Sequence, residues 1–122
     1  MTVIDPSFLA GLDELRSDYR RSLPPQLVRI CALWQQALHD ENPAEALATL
    51  ERCAHNLAGS GGTFGCPDMG DAARELELAV NPLLQTAGSL TAAAKADVSR
   101  AIELLRRSLP EEVRIQAGKP VS

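Results

Sequence analysis

The sequence predicts an all-α fold, an antiparallel four-helix bundle with an additional N-terminal helix. Aromatic residues make up only 3% of the 122 residues, whereas leucine and alanine are abundant, and this bias favours helices over strands. Apolar residues recur at helical spacing in five successive segments, and the connections between them are short enough to make neighbouring helices antiparallel. We expect a single domain over residues 1–122, with its core from about residue 6 to residue 109.

The first two helices are predicted on either side of a proline pair. Asp5 can cap a helix that begins at Pro6, and helix A is expected over about residues 6–20, with apolar side chains at Phe8, Leu9, Leu12, Leu15 and Tyr19. Ser22 to Pro25 predict a break, because a proline inside a helix removes a hydrogen bond and clashes with the preceding turn. Helix B then carries a core stripe and ends near His39, whose imidazole complements the helix dipole; the stripe is Leu27, Cys31, Trp34 and Leu38.

Helices C and D are predicted to form a hairpin. Asn42 and Pro43 begin helix C, whose apolar line is Ala46, Leu50, Cys53, Leu57 and, if the helix survives its glycines, Gly61 and Phe64. A turn at residues 65–68 leads into helix D, which Asn81 and Pro82 are expected to stop; its apolar side is Met69, Ala72, Ala73, Leu76 and Val80.

The last helix, helix E, is predicted over about residues 91–109, after a polar connection from Gln85 to Ser89. It carries the most regular apolar stripe of the chain, formed by Leu90, Ala94, Val98, Ile102, Leu105 and Leu109. Residues 110–122 lose this pattern and are expected to form a frayed tail.

Composition argues against several classes of function. The chain has 12 Lys and Arg against 16 Asp and Glu, and its net charge of -4 argues against nucleic-acid binding. No basic segment leads into an apolar stretch at the N-terminus, and no apolar run approaches the roughly 20 residues of a membrane span, so we expect a soluble cytoplasmic protein without membrane contact. The three cysteines, Cys31, Cys53 and Cys66, form no Cys-x-x-Cys pair and are expected to be reduced, buried thiols.

The candidate functional residue is His55, in the segment AHNLAGSGGTFG of residues 54–65. At about 100° per residue, His55 lies opposite the apolar line of helix C and therefore faces solvent. An exposed imidazole titrates near neutral pH and is a candidate nucleophile or proton carrier. Gly59, Gly61 and Gly62 each destabilise a helix by about 1 kcal/mol relative to alanine. An ordinary surface histidine gives no reason for them, whereas glycines let the backbone of another protein approach closely.

This segment resembles the signature of histidine-containing phosphotransfer (HPt) domains, which include the phosphorylated domain of chemotaxis histidine kinases. The matching residues are Ala54 to Ser60 and Thr63 to Gly65, with Arg52 to Ala54 before them and residues 71–77 of helix D, so that the similarity covers about residues 8–109. The resemblance implies a phosphorelay intermediate of a two-component system. His55 would accept a phosphoryl group from the aspartyl phosphate of a receiver domain, or from a kinase such as a hybrid histidine kinase, and pass it to a receiver.

The resemblance also implies what the chain does not need. Phosphoryl transfer depends mainly on positioning and charge neutralisation, and a neutral imidazole is already nucleophilic. The receiver would supply Mg2+, so we expect no cofactor or metal in this chain, no independent enzymatic turnover, and a monomer. The expected docking surface covers helices B and C around Gly59 and Gly62.

One position departs from the family pattern. The residue three after the histidine is normally Lys or Arg and helps to hold the phosphoryl oxygens, but here it is Ala58. Arg52, on the same face before His55, either replaces this charge or is simply solvated, and Arg74 on helix D is a weaker candidate. Glu77 either accepts a hydrogen bond from His55 across the hairpin, fixing its tautomer, or is an ordinary exposed acid. The missing cation also leaves open an HPt-like module that docks on a receiver or kinase without phosphotransfer.

Two other interpretations of the segment are set aside. The glycine-rich run from Gly59 to Gly65 follows no strand and lacks the Gly-Lys-Ser/Thr ending of a phosphate-binding loop. A metal site from Cys53, His55 and Cys66 lacks a fourth ligand, and Cys53 is expected to face the core while His55 faces outward.

Overall fold

A computed structural model describes residues 5–86 and 90–113, which form four long helices. They are α1 (Pro6–His39), α2 (Ala44–Gly61), α3 (Pro67–Gln85) and α4 (Ala92–Arg107), followed by one helical turn at residues 111–113. The described residues contain no strand, and the prediction of an all-α bundle is confirmed. None of the described helices is both long and apolar enough to span a bilayer.

Consecutive helices pack side by side, and α1 also touches α4, which closes the bundle. The most extensive contact joins α2 to α3, the hairpin that carries His55. All four helices contribute to one core, whose largest fully buried side chains are Leu23, Ile30, Leu47, Leu50, Met69, Leu76, Val80, Val98 and Leu105. No polar or charged residue is buried within the described part of the chain, so the core is held together by apolar burial.

Helix α1 runs without interruption through Pro24 and Pro25, and the predicted division into helices A and B is wrong. The side chains buried along α1 continue across the proline pair at helical spacing, at Leu23, Leu27, Ile30, Trp34 and Ala37. Burial of this face outweighs the two hydrogen bonds that the prolines remove. The additional N-terminal segment is therefore the first half of α1, and it is largely exposed, including Phe8, Leu9 and Leu15.

The same stripe explains why Cys31 is exposed rather than buried as expected. It follows the buried Ile30, and one residue turns the helix by about 100° away from the core. Among the other two thiols, Cys66 is buried and Cys53 is half-buried.

Helix α3 continues past Asn81 and Pro82 to Gln85, so the predicted stop is also wrong. Val80 and Leu83 on either side of this pair are buried, whereas Pro82 itself is exposed. A proline on the solvent side can be accommodated when the residues around it pack well. Of the predicted connection from Gln85 to Ser89, Gln85 belongs to α3 and residues 87–89 lie outside the described residues.

The start of α4 agrees with the sequence. The hydroxyl of Thr91 caps the helix by accepting a hydrogen bond from the backbone N–H of Ala94 at 3.1 Å. Beyond the helix, Val113 is buried in the core and Glu112 forms a salt bridge of 2.6 Å with Arg20. The packed structure therefore extends past Leu109 into the expected tail, whose residues 114–122 lie outside the described residues.

Candidate functional site

Helix α2 presents His55 to solvent. The side chain of His55 is 69% exposed, whereas Leu50 and Leu57 on the opposite face are almost completely buried. The helix remains regular through Gly59 to its end at Gly61, and the next residue, Gly62, also has a helical backbone conformation. The face of α2 assigned from the sequence is therefore the observed one.

The imidazole of His55 is tied to the neighbouring helix by Glu77. The Nδ1 atom of His55 lies 2.5 Å from Oε2 of Glu77, whose side chain is only 19% exposed. An ionised carboxylate is an acceptor only, so in the neutral ring Nδ1 carries the proton and donates a hydrogen bond to Glu77. This arrangement leaves the lone pair of the other ring nitrogen, Nε2, available as a nucleophile.

A second carboxylate, that of Glu51, completes the cluster. A carboxylate oxygen of Glu51, a ring nitrogen of His55 and a carboxylate oxygen of Glu77 all lie within 4.8 Å of one another. Sequence reasoning places Glu51 on the face of His55, since side chains four positions apart meet on a helix, but assigns it no role. These three side chains are also the group among the described residues that could hold a metal ion. The hydrogen bond between His55 and Glu77 already accounts for one contact of that group without an ion.

The two candidate cations, Arg52 and Arg74, are not ion-paired with the carboxylates of this cluster. At about 100° per residue, Glu51 and Ala58 lie on one side of His55, whereas Arg52 lies on the other. Glu77 approaches from the side of Glu51, where Ala58 is half-buried against the core. Arg52 and Arg74 are both exposed, and neither forms an ion pair within residues 5–86 and 90–113. Among the described residues, neither arginine is therefore ion-paired with the carboxylates beside Ala58.

The glycines have two different explanations. A Cβ atom at Gly61 would lie 2.6 Å from the Cα atom of Gly70, so Gly61 lets α2 and α3 pack closely. The expectation that all three glycines serve the approach of a partner is therefore wrong for Gly61. Gly59 and Gly62 are exposed, with nothing within 4 Å of an added Cβ, so the structure leaves their expected role as a docking surface open.

An aromatic pair holds the end of α2 against α1. The rings of Tyr19 and Phe64 stack with their centroids 4.5 Å apart, and the hydroxyls of Tyr19 and Ser60 form a hydrogen bond of 2.7 Å. Burial raises the pKa of Tyr19 above its ordinary value. Sequence reasoning assigned Tyr19 and Phe64 to separate apolar stripes, because no local pattern relates residues so far apart in the chain.

Comparisons with known proteins place the chain in a family. A family model described as the Hpt domain matches residues 14–116, which is most of the chain. No curated protein and no solved structure gave a significant match. Hpt domains are histidine-containing phosphotransfer modules of two-component signalling. Because the family model covers most of this helical chain, the chain belongs to the Hpt domain family.

Proposed function

We propose that this domain is a phosphorelay intermediate, which accepts a phosphoryl group on His55 from a receiver aspartyl phosphate or a kinase and passes it to a receiver. The observation that carries the proposal is the exposed imidazole whose Nδ1 atom is held by Glu77. The contact orients the ring and leaves Nε2 as the reactive atom.

The proposed transfer is balanced without a cofactor in this chain. The Nε2 lone pair forms a bond to phosphorus while the bond from phosphorus to the aspartate oxygen breaks, and the aspartate leaves as a carboxylate. Nδ1 keeps its proton, and Glu77 stabilises the positive charge that develops on the ring. Mg2+ held by the receiver neutralises the phosphoryl oxygens, and the domain has no independent turnover.

The test uses the two histidines of the chain, His39 and His55. The wild-type domain is incubated with Mg2+ and a panel of phosphorylated receiver domains, and we expect acid-labile, base-stable labelling. His55→Gln should abolish this labelling, whereas His39→Gln should retain it, because His39 is hydrogen-bonded to the Gln35 carbonyl at the far end of α1. Unchanged labelling of the His55→Gln variant contradicts the proposal.

A second candidate function is a docking module that binds a receiver or kinase without phosphotransfer. The observation that favours it is Ala58, since two carboxylates lie beside His55 and neither Arg52 nor Arg74 is ion-paired with them among the described residues. Receiver binding without any phosphohistidine, measured on the same panel, would support this alternative.

The proposal includes where and in what form the domain acts. Its partners are receivers and kinases rather than nucleic acid or membranes, and we place it in the cytoplasm as a monomer. All three cysteines are free, which suits a reducing compartment. Light scattering of the purified domain tests the monomer.

A further inference from the structure

We propose that Glu51 raises the phosphoryl-transfer potential of His55, so that the domain passes a phosphoryl group on readily rather than storing it. This inference rests on the proposed function, because it concerns the phosphorylated form of His55. Glu51 would shift the equilibrium of phosphotransfer away from phosphohistidine and towards the acceptor.

The position of Glu51 supports this role. Its carboxylate is within 4.8 Å of both a ring nitrogen of His55 and the carboxylate of Glu77. Glu77 has a specific partner there, the Nδ1 atom of His55 at 2.5 Å. Glu51 forms no ion pair with any arginine or lysine in the described part of the chain. Its negative charge is therefore not neutralised by an ion-paired cation among the described residues.

Phosphorylation makes this arrangement less favourable. A phosphoryl group adds between one and two negative charges near neutral pH, and even after the ring proton is counted the net charge of the side chain becomes more negative. The phosphoryl group would be attached to the ring that lies beside Glu51, and like charges several ångströms apart repel strongly enough in water to change an equilibrium several-fold. The half-buried side chain of Ala58 carries no charge that could offset this repulsion. The free energy of the phosphorylated domain is thus raised relative to the free domain.

Phosphoramidate provides a donor with which this potential can be measured without a receiver. The P–N bond of the donor breaks as the bond from phosphorus to Nε2 forms, and ammonia leaves with the electron pair and takes a proton from the buffer. Because one P–N bond is broken and another is formed, we expect an equilibrium constant near one. The constant can then be measured by 31P NMR at known ammonia concentrations.

Three variants separate charge from structure. Glu51→Gln removes the charge at nearly constant shape, and Glu51→Lys reverses it. Glu75→Gln is the matched control, because Glu75 is an exposed acid of α3 that lines the groove towards α4 beside Asp97 and Arg100. The fluorescence of Trp34, the single tryptophan and a buried one, reports whether each variant remains folded.

We expect the equilibrium constant for formation of phosphohistidine to rise about three- to tenfold in Glu51→Gln, and further in Glu51→Lys. The difference from wild type should narrow as the ionic strength rises from about 10 mM to about 1 M, because salt screens exposed charges. Glu75→Gln should stay within about twofold of wild type, since its charge lies outside the cluster.

Equal constants for wild type and both Glu51 variants overturn this inference while leaving the proposed function intact. The inference is also overturned if Glu75→Gln changes the equilibrium constant as much as Glu51→Gln does, because the effect would then follow the net charge of the domain alone. If wild-type His55 takes no phosphoryl group from phosphoramidate, the inference also fails. Labelling by phosphorylated receivers then decides separately whether the proposed function survives.

Discussion

The Nδ1 atom of His55 and the Oε2 atom of Glu77 lie 2.5 Å apart, although 22 positions separate the two residues in the sequence. The contact crosses from α2 to α3 at an exposed edge of the most closely packed pair of helices. It connects the orientation of the imidazole to the packing of the hairpin.

Replacement of Glu77 should slow phosphotransfer. Glu77→Ala removes the acceptor of the Nδ1 proton, and we expect the transfer rate from a phosphorylated receiver to fall about 10- to 100-fold, because both the tautomer and the developing ring charge lose their partner. Glu77→Gln keeps an acceptor oxygen and should lose less. Rapid-quench labelling measures these rates, with Glu75→Ala as the control, and a wild-type rate in Glu77→Ala would show that the contact has no role in transfer.

Substitution of Gly61 should destabilise the fold. A Cβ atom there would lie 2.6 Å from the Cα atom of Gly70, and backbone cannot yield as a flexible side chain can. We expect Gly61→Ala to reduce the free energy of unfolding by about 3 kcal/mol.

The neighbouring glycines provide the control for this substitution. Gly59→Ala adds a methyl group into open space on the same helix and should increase the free energy of unfolding by about 0.5–1 kcal/mol. Urea unfolding followed by Trp34 fluorescence measures both variants. Equal stability of the two would mean that the approach of α2 to Gly70 is not as close as the structure indicates.

Tyr19 should titrate at higher pH than a free tyrosine. It is the single tyrosine of the chain, so absorbance at about 295 nm reports its ionisation alone. Its pKa is raised in the folded state because burial disfavours the phenolate, although the hydrogen bond between Tyr19 and Ser60 opposes this shift.

A raised pKa in the folded state gives stability that is fully present below the pKa of the unfolded chain, near pH 10, and that is lost as the pH rises through the folded value. Wild type should therefore be more stable than Tyr19→Phe at neutral pH, by about 1 kcal/mol for the hydrogen bond to Ser60. This advantage should shrink above pH 10. A difference in stability that is constant with pH would contradict a raised pKa of Tyr19 in the folded state.

Thr91→Ala should destabilise the domain by about 1 kcal/mol, because it removes the side-chain acceptor at the N-terminus of α4. Thr49→Ala is the matched control, since the hydroxyl of Thr49 bonds to the Glu45 carbonyl inside α2 and caps nothing. That variant should be neutral or slightly more stable, because alanine favours the helix. Thermal unfolding compares the two, and an equal loss in both would remove the cap as the explanation.

Features that depend on local spacing could be predicted from the sequence. The burial of Leu50 and Leu57 and the exposure of His55 follow from the helical period alone. The prolines at positions 24, 25 and 82 misled the prediction, because their local effect is outweighed by buried residues on the same helix. The contact of Gly61 with Gly70 and the stacking of Tyr19 on Phe64 join different helices, so they become visible only when the bundle is assembled.

The near-contact of Gly61 and Gly70 has a consequence for recognition. Gly61 follows His55 by about 9 Å along α2, and Gly70 precedes Glu77 by about 10 Å along α3. The glycine contact and the contact of His55 with Glu77 are therefore separated by nearly equal lengths of the two helices. With no side chain between them, the two backbones are in direct contact at this point. A docking partner therefore meets an imidazole whose orientation is set before the encounter. In the proposed transfer, we therefore expect most of the adjustment that aligns the two reactive groups to come from the partner.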